Sequence, residues 1–154
     1  MRPVEYSHRQ IGKIQIWASI IAIVIILLAT VFAPEIRFIL AVVILVLGAA
    51  LLLFSTLTVE ITSGAIQVSF GPIHLIRKAV PVDQITGIAK VKNRWIYGWG
   101  VRKVPNGTMY NISGFDTVEI GLSTGKRFLI GTDEPDRLIS ALEKATGLEM
   151  SAPE

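Results

Sequence analysis

The chain has 154 residues and 16.8 kDa, room for one ordinary domain and a little more, and with 51% hydrophobic residues and a mean hydropathy of +0.57 it is too apolar for a disordered chain. Zero cysteines exclude a disulfide framework, a thiolate zinc site, an iron–sulfur cluster and a cysteine nucleophile, and two histidines, His8 and His74, leave little for metal or triad chemistry. The net charge of +3 and the pI near 9.4 tilt the chain toward anionic surfaces without naming one.

Residues 1–13 are read as a cytoplasmic N-terminus, with His8 in a mobile segment. Residues 14–57 are read as a transmembrane helical hairpin. Within it, residues 14–32 and 38–57 carry no charge, and each run is long enough as a helix to cross the roughly 30 Å hydrocarbon core of a bilayer. Pro34 stops the first run, and the short connection between the two permits only an antiparallel pair. Two helices apolar on every face could not be wrapped by the remaining residues, so they are not core helices of a soluble protein. A cleaved signal peptide is disfavoured by the length of the first run and by the second run directly after it. Arg2, Arg9 and Lys13 precede the first span, whereas the hairpin loop sets Arg37 against Glu35; the positive-inside rule then places both termini in the cytoplasm. Neither span holds a charge at mid-bilayer, so the pair reads as an anchor.

After Leu57 the pattern changes to alternation. Val59 and Ile61 flank Glu60, Ser63-Gly64 turns, and Ile66, Val68 and Phe70 alternate with Gln67 and Ser69. Residues 73–80 read as a third strand that includes His74, and residues 85–91 as a fourth. Asn106-Gly107 marks a hairpin between residues 99–104 and 108–112. Val118, Ile120 and Leu122, then Phe128 and Ile130, complete seven or eight short strands in a domain spanning residues 58–147. Thr132-Asp133-Glu134-Pro135 opens a helix whose apolar face is Leu138, Ile139, Leu142 and Ala145, and Gly147 ends it. Asp133, Glu134 and Asp136 read as cap and dipole complement rather than as a catalytic cluster. Residues 148–154 read as a flexible acidic tail.

The stretch from residue 90 to residue 103 is basic and aromatic without an acid. In extended backbone, parity puts Lys90, Lys92 and Arg94 on one face with Arg102, and Val91, Trp95, Tyr97 and Trp99 on the other. The aromatics would then fill the core, and the cations would either face solvent or lie against anionic headgroups. Single-stranded nucleic acid is the weakest reading, because the stacking residues fall opposite the cations. Arg77, Lys78, Lys90, Lys92, Arg94, Arg102 and Lys103 are the candidate anionic-surface contacts. Residues 133–154 carry six acids against Arg137 and Lys144, so the domain is charge-polarised. No nucleophile elbow, phosphate loop or metal-ligand spacing is present; the reading is non-catalytic, with no cofactor, no metal and no nucleic-acid partner.

The Trp95-Ile96-Tyr97-Gly98-Trp99-Gly100-Val101-Arg102, Tyr110-Asn111-Ile112-Ser113-Gly114, Val118-Glu119-Ile120 and Ile130-Gly131-Thr132-Asp133-Glu134-Pro135 runs together resemble small bacterial membrane proteins with two N-terminal spans and a cytoplasmic pleckstrin-homology-type domain. The resemblance implies a membrane-anchored α+β fold: a PH-like seven-stranded bent β-barrel capped by a C-terminal α-helix, in the bacterial cytoplasmic (inner) membrane. Residues 58–67, around the first hairpin, contain no lysine or arginine, unlike phosphoinositide-binding members, which disfavours a specific inositol-phosphate pocket. The expectation is an interaction module at the cytoplasmic face whose partners are membrane lipids or a membrane or cytoplasmic protein. The alternative is an accessory subunit of a larger membrane complex; no feature of the sequence supports a homo-oligomer.

Overall fold

The computed structural model describes residues 4–92 and 100–151. Strand β1 (Val4–Ile11) leads through Gly12 alone into helix α1 (Lys13–Phe32). A 3-10 turn (Pro34–Ile36) reverses the chain into α2 (Arg37–Phe54), and Ser55 alone separates α2 from β2 (Thr56–Thr62). Both helices are long and apolar enough to cross a bilayer, and neither buries a single residue. Arg37 closes the turn by donating from Nε to the carbonyl of Thr30 at 3.0 Å, one of the carbonyls the helix end leaves without a partner.

β1 is not a mobile N-terminus. It pairs antiparallel with β2 from His8 opposite Val59 to Ile11 opposite Thr56, and the Gly12 N–H donates to the Ser55 carbonyl at 2.9 Å. The apolar helical hairpin is therefore an insertion at the tip of a β-hairpin, and the sheet unit draws on residues before it as well as after it.

β3 (Ala65–Phe70) and β4 (Ile76–Pro81) complete a four-stranded antiparallel sheet in the order β1-β2-β3-β4. A second sheet contains β5 (Ile85–Lys92), β6 (Gly100–Val104), β7 (Gly107–Asn111), β8 (Asp116–Leu122) and β9 (Arg127–Gly131), ordered β5-β8-β9-β7-β6, with β7 and β9 parallel. Period-two alternation sends Leu57, Val59 and Ile61 inward opposite Phe70, Val68 and Ile66, and the second sheet answers with Ile88, Val118, Ile120, Phe128 and Ile130. Helix α3 (Pro135–Thr146) lays Leu138, Ile139 and Leu142 against β1, β2, β5 and β8, and Gly147 ends it in the left-handed region at φ 72°.

An α+β fold with two apolar N-terminal helices is thus present, and several finer expectations change. Where the resemblance implies a seven-stranded barrel, the described residues form nine strands in two sheets and no closed barrel. Residues 71–74 turn rather than extend, with His74 at φ 52°, so the strand expected from residue 73 begins at Ile76. The tail is fastened through residue 151: Leu148 packs on the core and the Ser151 N–H donates to the Ile88 carbonyl at 2.8 Å.

Because Gly12 and Ser55 are hydrogen-bonded neighbours, a short turn could join β1 to β2 in place of the apolar hairpin. A chain with Asn-Gly in place of residues 13–54 should keep a cooperative thermal transition and a sheet-type circular dichroism spectrum. A fragment starting at Thr58 should melt far lower, because it strips β1 from β2. Equal melting of the two would contradict a structural role for β1.

Candidate functional site at the root of the apolar hairpin

Strand directions assign an end to every loop. β1 and β3 run toward the hairpin root while β2 and β4 run away, and in the second sheet β5, β7 and β9 run toward it and β6 and β8 away. The turn after β3 and the loop between β7 and β8 consequently meet at the root. Gln10 joins the β7–β8 loop to β1, donating from Nε2 to the Ser113 carbonyl at 3.2 Å and to its Oγ at 2.9 Å. Asn111, fully buried, braces the same loop by donating to the Gly114 carbonyl and accepting from the Ser113 N–H.

Gly71 sits where the β3 turn crosses the end of α2. Its N–H donates to the Thr56 carbonyl at 2.8 Å and its φ is +73°; a side-chain carbon there would collide with the Leu52 carbonyl oxygen. An aromatic series runs from this junction into the core, with Phe54–Phe70, Phe70–Tyr110 and Tyr110–Phe128 centroids at 5.7, 6.0 and 4.9 Å. The last side chain of the apolar hairpin therefore packs on the domain core without an intervening linker.

A polar cluster binds β1 to the start of α3. His8 places Nε2 at 2.7 Å from Asp133 and Nδ1 at 3.0 Å from Glu134. The Tyr6 hydroxyl donates to Glu134 at 2.9 Å, and Arg137 reaches the other Glu134 oxygen at 3.2 Å. Burial, then the Glu134 hydrogen bond, raises the Tyr6 hydroxyl well above the usual phenol range. Burial also raises Tyr110. The acids that read as helix punctuation are tertiary ties as well, and His8 is held rather than mobile.

The basic candidates do not gather at one place. Arg77 and Lys78 lie at the root end of β4, and Lys92 at the root end of β5. Lys90 shares its side of β5 with the core residue Ile88 and extends to Asp136 at 2.7 Å, so the parity assignment of faces is reversed there. Arg102 and Lys103 are on β6, at the opposite edge of the second sheet from β5, about 19 Å away at four strand spacings, and they point to opposite faces. Arg94, with Trp95, Tyr97 and Trp99, lies outside the described residues. Sequence reasoning missed the pairing of Arg9 with this set: β-register puts Arg9, Thr58, Ser69 and Arg77 in one cross-strand row on the outer face of the first sheet.

At the far end, the β6–β7 and β8–β9 hairpins enclose an open cleft of about 450 Å³ lined by Lys103, Asn106, Thr108, Thr124 and Lys126. Among the described residues no group of three His, Asp or Glu side chains is placed to hold a metal ion. Comparison with protein-family models, with curated proteins and with solved structures found no match to this chain.

Two outcomes follow for the root and the cluster. Gly71→Ala should destabilise the fold by about 1–3 kcal/mol, from a strained left-handed residue and the forced retreat of α2, and thermal melting would show it. Tyr6 holds its proton more tightly when folded than when unfolded, so its stabilisation is complete below about pH 10 and fades as pH rises beyond. Tyr6→Phe should cost about 0.5–1.5 kcal/mol at neutral pH and flatten the alkaline loss of stability. An unchanged alkaline profile would remove Tyr6 from that role.

Proposed function

We propose that the chain is a non-catalytic, membrane-anchored interaction module, its two-sheet domain held against the cytoplasmic face of a bacterial inner membrane by the helical hairpin. The observation that carries this reading is the insertion of the hairpin between β1 and β2 through Gly12 and Ser55 alone. A spanning hairpin so joined leaves the domain no reach: its root stays at the bilayer surface. The kinship with pleckstrin-homology-type membrane proteins belongs to the same proposal, supported by one C-terminal helix packed over two sheets.

Anionic lipid is the favoured contact, with Arg77, Lys78 and Lys92 nearest the root and each cation contributing on the order of 1 kcal/mol near a charged surface. Lys90 is engaged by Asp136, and Arg102 and Lys103 sit on the remote edge, which suits them to a protein partner instead.

Full-length chain in nanodiscs of phosphatidylglycerol should show slower amide exchange at residues 76–78 and 90–92 than in phosphatidylcholine. Arg77→Gln with Lys78→Gln and Lys92→Gln, or high salt, should erase the difference. Identical exchange in the two lipids would sink the lipid contact. Gentle detergent extraction addresses the alternative: a stoichiometric partner co-migrating with the chain would favour an accessory subunit.

A further inference from the structure

Six large apolar side chains outside residues 13–54 are exposed among the described residues: Ile11, Ile73, Leu75, Val101, Phe115 and Met150. Four of them, Ile11, Ile73, Leu75 and Phe115, surround the hairpin root, and the three most exposed are Leu75 at 67%, Phe115 at 57% and Ile73 at 56%. They occupy three separate chain segments. Ile11 ends β1 beside Gly12; Ile73 and Leu75 lie in and just after the turn that Gly71 presses against α2; Phe115 ends the loop that Gln10 ties to β1. Water would penalise this crown of apolar groups, and no packing need of the domain places them outward.

We infer that Ile73, Leu75 and Phe115, with Ile11, insert into the interfacial layer of the bilayer that the hairpin spans, so that the domain docks on lipid in one orientation. The inference rests on the membrane-spanning reading and adds to it a second, apolar site of lipid contact. Continuity with the spans selects lipid as the occupant, because the crown lies at the end of the domain where the helices leave the sheet. Charge agrees with this depth. Arg9 stands two residues above Ile11 on the same strand face, about 7 Å, and the headgroup layer on each side of the hydrocarbon core is about 5–8 Å thick. The exposed ends of the cross-strand row, Arg9 and Arg77, therefore lie level with lipid phosphates. Arg77 also stiffens the crown, donating from Nε to the His74 carbonyl at 2.7 Å.

The cysteine-free chain allows a direct test by single spin labels in phosphatidylcholine nanodiscs, a neutral lipid that reports insertion rather than charge. Labels at Leu75→Cys and Phe115→Cys should collide more with molecular oxygen, which partitions into lipid, than with a water-soluble nickel chelate. Ile25→Cys in α1 marks the bilayer interior and Thr124→Cys, at the far hairpin, marks water. If positions 75 and 115 behave like 124 while 25 stays oxygen-rich, docking is refuted and the spanning hairpin stands. If 25 itself is open to the nickel chelate, the spanning reading fails and this inference with it. Thermal melting of each labelled chain excludes misfolding as the cause of either result.

Discussion

The pairing of β1 with β2 is the constraint on which the rest of the structure depends. Two strands separated by the entire apolar hairpin meet in register, and the Gly12–Ser55 hydrogen bond closes the ladder at the point where the helices depart. Closing so long a loop is entropically unfavourable for a flexible chain, but the cost grows only slowly with length. Here the loop is itself a rigid antiparallel helix pair whose two ends emerge side by side. The hairpin thus presents β1 to β2, and the sheet in turn fixes where both helices begin and end.

That arrangement couples the two parts mechanically. Linkers of several residues let a tethered domain reorient, whereas one residue on each side does not. Phe54 extends α2 into the aromatic series of Phe70, Tyr110 and Phe128, and Gly71 lets the β3 turn lie directly on the carbonyls of the last helical turn. A tilt of the helices would be felt in the core, because close-packed interiors transmit displacement rather than absorb it.

Polar chemistry completes what apolar burial leaves open. The inward face of β1 offers Tyr6, His8 and Gln10, residues poorly suited to a dry core, and each finds a partner supplied by distant sequence: Glu134, Asp133 with Glu134, and Ser113. These bonds hold the edge strand to α3 and to the β7–β8 loop, the two elements that flank it. The strand is specified by its hydrogen-bond partners more than by its hydrophobicity, although of the Gln10 amide only the nitrogen is paired and Oε1 is buried without a partner.

The sequence by itself determined the features that rest on local pattern. Uncharged runs of sufficient length dictate the apolar helices, period-two alternation dictates β2, β3 and β8, and proline, acids and glycine bracket α3. β1 was not legible, because its inward set is polar and alternation of polar with polar leaves no signal. The side of β5 that faces the core was also hidden: a bulge between Ile85 and Gly87 shifts parity, and Lys90 escapes burial by stretching to Asp136. Likewise, Ile73 and Leu75 look like strand residues until Gly71 and His74, both at positive φ, turn the chain beneath α2. Only tertiary structure decided strand order, including the parallel β7–β9 pair, and that order scattered the basic residues while gathering exposed apolar ones at the root. The reason is physical: local pattern reports whether a side chain prefers burial, whereas the identity of its neighbours depends on which distant strands complete its hydrogen-bond ladder.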